Sequence, residues 1–249
     1  MNFRSSLLFS CLLALAMAPA LAAEPGRGAE ARLRASVDAA LEEQRLAGMA
    51  WSLVSDDRTE IGAAGRSNME SGAAMGADQR VHVGSIAKTL VALGLLRLVT
   101  EGRLDLNAPV SSLLPEIRFS NHWEQANPVR VRPLLDHTAG LADLRIRHVF
   151  SARVTPDDPL LSIFADDASI LRVRTRPGET FSYSNISYAL AGAIMERVTG
   201  TRYEEWLAAN LLAPLEMSDS TFRFVRQGQG GDPRLAWGHQ ADLTPAAAF

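Results

Sequence analysis

Cysteine is nearly missing from this chain: the single one, Cys11, lies in the apolar N-terminal stretch. Beyond residue 22 no thiol remains, so no disulfide staples the fold and no thiolate serves as nucleophile or metal ligand. Charge of one sign is not in excess either. Lysine and arginine total 25 against 28 aspartates and glutamates, for a net charge of -3, and they are dispersed along the chain. That excludes a basic face of the kind nucleic acid requires. No segment supplies the ~20 apolar residues of a permanent membrane span. Metal-ligand patterning is lacking as well, since His82, His122, His148 and His239 show no ligand spacing and stand without cysteines or paired carboxylates, so neither metal nor cofactor is expected. No internal repeat is present.

What the N-terminus does have is a positive charge in residues 1–4, an apolar run over 7–17 and the small-x-small tripeptide Ala20-Leu21-Ala22. This is the pattern of an export signal over residues 1–22, which predicts a periplasmic or secreted protein. Cys11 could mark a lipoprotein site, but Phe9 is bulky and the apolar run before it is very short. A mitochondrial transit peptide would be richer in arginine and serine. Residues 23–249 are then one domain with enough chain for one substantial core, expected to work as a monomer.

Apolar spacing over 29–47 predicts an amphipathic helix closed by Gly48, and 49–55 and 59–66 read as a hairpin whose alanines and glycines suit close packing. Residues 67–80 lack a period and read as irregular. From 86 to 101 the chain is apolar nearly all round, as expected of a helix buried in the middle of a domain, and Gly102 stops it. A helix start at Pro133, a short helix over 159–164 and a turn at Pro177-Gly178-Glu179 follow. Residues 187–199 form a second apolar helix ended by Gly200, and Thr201-Arg202-Tyr203-Glu204 is a capping box for a third over 202–212. After Val225 no regular element is expected.

The stretch with chemical consequence is Val83-Gly84-Ser85-Ile86-Ala87-Lys88. Residues three apart share a helix face, so the Ser85 hydroxyl and the Lys88 amine face each other. A serine is a poor nucleophile until a base takes its proton, and the helix start and the apolar run both disfavour the ammonium form of Lys88. The Ser85 backbone N–H at a helix N-terminus can face a developing oxyanion. Tyr183-Ser184-Asn185 adds a phenol able to trade protons with the serine and an amide able to orient substrate and lysine. Read blandly, Tyr183 is a half-buried aromatic and Asn185 a helix cap. Trp123, Trp206 and Trp237 read as packing residues.

In order, spacing and surroundings these motifs resemble the serine beta-lactamase and penicillin-recognising hydrolase superfamily, its class C-like branch of esterases and D-alanyl-D-alanine carboxypeptidases above all. Residues 100–106, Asp136-His137-Thr138-Ala139-Gly140-Leu141 and Pro177-Gly178-Glu179 carry the same resemblance. It implies an α+β fold in which a helical subdomain packs on an antiparallel sheet. It also implies that Ser85 is acylated, that Lys88 and Tyr183 transfer protons, and that Asn185 binds substrate. The substrate would be a small molecule or peptide bearing an ester or amide: a simple ester, a cell-wall D-alanyl peptide or a β-lactam. Ester or peptide is favoured on the breadth of the related sequences. His137 is the other partner open to Ser85, but in the family the H-T-x-G-L segment is a structural turn, and no G-x-S-x-G elbow is present here.

The family's third motif, K-T-G or H-x-G on a strand of the main sheet, has no match. The resemblance therefore implies an incomplete sheet and a chain that is a fragment or a prematurely ended reading frame. It leaves open a non-catalytic or single-acylation penicillin-binding sensor beside the enzyme.

Overall fold

The computed structural model describes residues 27–56, 58–144, 155–228 and 230–246. The expected export signal and Cys11 lie outside them. The chain opens with helix α1 (Arg27–Glu43) and an antiparallel hairpin of β1 (Gly48–Val54) and β2 (Thr59–Asn68), to which the two-residue β3 (Ala73–Ala74) adds in the order β1-β2-β3. The small residues of β2 have a clear cause. Gly62 stands opposite Trp51, and a Cβ at Gly62 would lie 2.1 Å from the indole, so only glycine lets the ring lie across the hairpin. α1 packs on this sheet.

Helix α2 (Ala87–Thr100) follows a 3₁₀ turn, Gly84–Ile86, and ends at Gly102, whose φ of +70° and N–H bond to the Val99 carbonyl make a left-handed stop. After it come α3 (Val110–Leu113), α4 (Val131–Leu135), a short α5 (Ile163–Asp166), α6 (Asn185–Thr199) ended by left-handed Gly200, and α7 (Tyr203–Leu207). α7 runs on as a π turn, Ala208–Leu212. The core is helical. Val91, Leu95 and Leu98 of α2, spaced i, i+4, i+7, meet Ile186, Leu190, Ile194 and Met195 of α6, with Leu134 of α4 and Trp206 and Leu207 of α7 in the same cluster. Burying each such leucine or isoleucine contributes roughly 1.5–3 kcal/mol. Gly94 allows the close approach, since a Cβ there would lie 2.6 Å from Leu207 Cδ2 and 2.8 Å from Met195 Cε.

Two expectations change. α2 is not enclosed: its opposite face, with Leu93, Leu96 and the preceding Ile86, is exposed, Ile86 by 68%. An apolar sequence therefore marked one packed face and one open one. The capping box at Thr201 is not made. Arg202 is the N-cap of α7, Glu204 turns to the Arg202 guanidinium, and the free Tyr203 N–H goes to Glu196 Oε1 at 3.1 Å. Among the described residues the C-terminal stretch forms no regular element, as expected, but it is anchored to the body of the chain. Residues 234–236 run beside Arg80, with Arg80 N–H to Arg234 C=O and Ala236 N–H to Arg80 C=O, both 2.8 Å, and Asp232 pairs with the Arg80 guanidinium at 2.5 Å. Trp237 donates its backbone N–H to Ser67 and His239 Nε2 accepts from Met69 N–H, so the irregular 67–80 segment is tied down just before Ser85.

Candidate active site

Gly84, at φ +55°, turns the chain into the 3₁₀ turn that carries Ser85, and α2 then places Lys88 one turn on. Lys88 Nζ lies 3.1 Å from Ser85 Oγ. The residues just ahead of α6 and at its first position close on the same point from the other side. Tyr183 Oη lies 2.6 Å from Ser85 Oγ, and Asn185 Oδ1 accepts from Lys88 Nζ at 2.8 Å. The structure thus brings together all four side chains that the sequence singled out, two from each side of the packed α2–α6 pair.

Hydrogen-bond bookkeeping orients the cluster. An ammonium at Lys88 only donates, and it donates to both Ser85 Oγ and Asn185 Oδ1. Ser85 Oγ and Tyr183 Oη share a hydrogen bond in which either oxygen can donate, and with Tyr183 ionised it is the Ser85 hydrogen that points to Oη. Tyr183 is suited to receive it, because hydrogen bonds from Lys88 and then Ser85 hold its phenol below the ordinary tyrosine range, against a smaller opposing effect of burial and of the Asp143 charge. The Ser85 N–H precedes the first bond of its turn, Ile86 N–H to Val83 C=O at 3.3 Å, so the helix does not consume it.

The segment Asp136-His137-Thr138-Ala139-Gly140-Leu141 holds Tyr183 and Asn185 in place. Asp136 Oδ1 accepts from Thr138 N–H and Oγ1, and Gly140 sits at φ +71° where a Cβ would lie 2.1 Å from the Thr175 carbonyl oxygen. Pro177-Gly178 makes a type II turn, Glu179 N–H to Arg176 C=O at 3.2 Å with Gly178 at φ +90°, and Gly178 N–H reaches Thr138 C=O. His137 grips both sides of Tyr183: its carbonyl accepts Ser182 N–H at 2.8 Å and its Nδ1 accepts Ser184 N–H at 3.2 Å. Its ring lies 4.4 Å from that of Tyr183, and burial, then Lys88, lowers its pKa. His137 is thus a neutral support for the tyrosine and not the partner of Ser85.

Asn185 is not the cap of its helix but the first residue in it; Ser184 is the N-cap and makes no side-chain cap bond, its hydroxyl donating to Ala142 C=O. Asp143 was not anticipated. Its Oδ1 accepts the Asn185 N–H at 2.7 Å, and both its oxygens face Asn185 Nδ2 at 3.3 and 3.2 Å. Its one sequence signal is that it stands two positions beyond the Leu141 that ends the recognised segment.

Trp206 is buried in the core and Trp123 packs against it, while Trp237 is half-buried beside Ser67. His148 lies outside the described residues. Among the described residues no group of three or more His, Cys, Asp and Glu side chains could hold a metal ion, and no helix is long and apolar enough to cross a membrane. Two cavities among the described residues, about 720 and 850 Å³, are lined by residues such as Tyr203 and Phe222, and Trp123 and Arg172; neither includes Ser85. The chemistry sits instead on an open face where Tyr183 is 42% exposed and Phe181 and Ile86 more so.

With this geometry in hand, residues 33–248 match the family model described as Beta-lactamase. The chain is similar to Esterase EstB of Burkholderia gladioli, 34% identical over 201 residues, covering 77% of this chain and 51% of that protein. It is also similar to Protein flp of Staphylococcus aureus (strain MW2), 30% identical over 146 residues, 58% of this chain and 28% of that protein. Among solved structures it superposes on the octameric penicillin-binding protein homologue from Pyrococcus abyssi with a TM-score of 0.69 at 26% identity, over 87% of this chain and 50% of that one. The chain spans about half the length of that structure and of EstB, and less of flp. The fold is accordingly α+β, of the beta-lactamase/transpeptidase type.

Proposed function

The chain belongs to the beta-lactamase family, and from that premise we propose that it is an exported, monomeric serine hydrolase that cleaves esters or amides through an acyl-enzyme on Ser85. One observation carries the reading: Ser85 Oγ stands 2.6 Å from Tyr183 Oη and 3.1 Å from Lys88 Nζ. The serine oxygen attacks the substrate carbonyl carbon while its proton passes to the ionised Tyr183 Oη, a phenolate that Lys88 stabilises before the transfer and that the transfer turns into a neutral phenol. The oxyanion forms within reach of the Ser85 N–H. Collapse expels the alcohol or amine, which takes the proton back from Tyr183. Water then enters by the same route and frees the acid. Asn185 orients Lys88 and the incoming carbonyl group.

The similarity to an esterase supports esters as the substrate class, with D-alanyl peptides and β-lactams sharing the same carbonyl chemistry. Steady-state hydrolysis of p-nitrophenyl esters, beside a D-alanyl-D-alanine peptide and a chromogenic β-lactam, tests the reading. Turnover of an ester that disappears in Ser85→Ala is expected. A burst of one equivalent with no turnover would convert the protein into a single-acylation sensor, and equal rates in both proteins would remove Ser85 from the chemistry.

A further inference from the structure

The orientation of Asn185 is a chemical choice that something must make. A primary amide presents oxygen on one edge and two N–H donors on the other, and the two are nearly the same shape. Only the oxygen edge can accept from a Lys88 ammonium. In the structure Oδ1 faces Lys88 Nζ at 2.8 Å, and the Nδ2 edge faces the two oxygens of Asp143 at 3.3 and 3.2 Å. A carboxylate accepts and cannot donate, so a flipped Asn185 would set oxygen against oxygen on one side and N–H against ammonium on the other. The third contact, Asn185 N–H to Asp143 Oδ1 at 2.7 Å, fixes the backbone that bears this amide. Asp143 in turn is braced by Leu144 N–H on its Oδ1 at 2.8 Å.

We infer that Asp143 is a positioning residue of the catalytic cluster: it locks the amide of Asn185 with its oxygen toward Lys88, and so sets where Lys88 stands relative to Ser85. The inference rests on the proposed role of Ser85 for its kinetic readout, but the geometry it asserts does not. A bland role is also open to Asp143, because a carboxylate at the first residue of α6 stabilises that helix as a remote cap. The two roles part on observables that helix stability leaves untouched. Asp143 is one of the charged or titratable groups facing Tyr183, with Lys88 from α2, His137 from the segment behind it and Tyr188 from α6. Its negative charge opposes ionisation of the phenol. Neutralising it lets Tyr183 lose its proton at lower pH.

The test uses the full chain and four variants: Asp143→Ala, Asp143→Asn, the exchanged pair Asp143→Asn with Asn185→Asp, and Asn185→Ala for assignment. The first readout is the side-chain amide resonance of Asn185, identified by its loss in Asn185→Ala; it is expected to shift and to exchange its hydrogens faster in Asp143→Ala. The second is the rate at which a fluorophosphonate labels Ser85, followed against pH. That rate is expected to fall on the order of 10- to 100-fold in Asp143→Ala, as for a small misplacement near a reacting group. In Asp143→Asn the rising limb of the pH profile is expected at lower pH. In the exchanged pair, which restores a donor facing an acceptor, labelling should recover at least about tenfold relative to Asp143→Ala. Should Asp143→Ala not fold, Asp143→Asn carries both readouts, since its amide oxygen still accepts from the Asn185 N–H. An unchanged Asn185 resonance, or a lowered Tm with labelling rate and pH limb unaltered in the folded fraction, overturns the inference and leaves Asp143 as a cap of α6. Absence of labelling in the wild type strikes the proposed role of Ser85 instead, and the resonance then decides on Asp143 alone.

Discussion

Lys88→Ala is expected to lower kcat/KM for ester hydrolysis by roughly 10⁴-fold, about 5 kcal/mol of transition-state stabilisation, because the proton-accepting Tyr183 and the nucleophile both depend on it. The size follows from how many bonds end on Nζ. It donates to the nucleophile at 3.1 Å and to Asn185 at 2.8 Å, and it is the largest cause of the lowered Tyr183 pKa. Removing it turns the serine hydrogen loose, frees Asn185 and returns the phenol toward its ordinary value. Lys88 is half-buried and not part of the core cluster, so the variant should keep the circular dichroism and nearly the Tm of the parent. Lys88→Arg should not restore the rate, because a planar guanidinium cannot take the place of a compact ammonium between two acceptors. Stopped-flow acylation with a p-nitrophenyl ester measures the loss. A fall of less than tenfold would mean that Lys88 only fills space beside Ser85.

The second large effect is that of Tyr183→Phe, expected to lower the acylation rate by roughly 10³-fold and to change its dependence on pH. In the parent the phenol is held below its ordinary value of 10.0, chiefly by Lys88 and then by Ser85. Activity should therefore rise with pH along a limb that lies below the range in which free tyrosine ionises. Phenylalanine abolishes that limb and leaves a low, flatter profile. Stability behaves differently. A group whose folded pKa is lowered contributes stability that is fully present above its unfolded value near 10 and is lost as pH falls through the folded value. The Tm difference between parent and variant should therefore widen as pH rises toward 10 and narrow as pH falls. A profile whose limb survives in Tyr183→Phe would assign the proton acceptor elsewhere.

Much of this is legible in the amino-acid sequence. The stops at Gly102 and Gly200, the hairpin with its glycines and the facing of Ser85 and Lys88 follow from local rules and spacing, whereas bringing Tyr183 and Asn185 to them came from the family resemblance. Local rules failed where a tertiary partner outbid them. Thr201-x-x-Glu204 has the letters of a capping box, but Glu204 turned to Arg202 and left the N–H of Tyr203 to Glu196. Asn185 has the letter of a cap, but its side chain is held by Lys88 and Asp143. An all-round apolar helix was read as enclosed, whereas composition reports only that a face can be buried, and α2 buries one. Asp143 and the grip of His137 on Tyr183 were beyond reach, because each depends on two segments more than forty residues apart lying side by side. The resemblance supplied the roles, and the distances made them specific.

The claim at the centre is that a single covalent bond forms at Ser85. Intact-mass measurement of the full chain after reaction with a fluorophosphonate, followed by peptide mapping, reads it directly. The account predicts one adduct per chain, carried by the peptide that contains Ser85 and absent from Ser85→Ala, with its rate of formation depressed in Lys88→Ala. An adduct on another residue, or an equal adduct in Ser85→Ala, would contradict it.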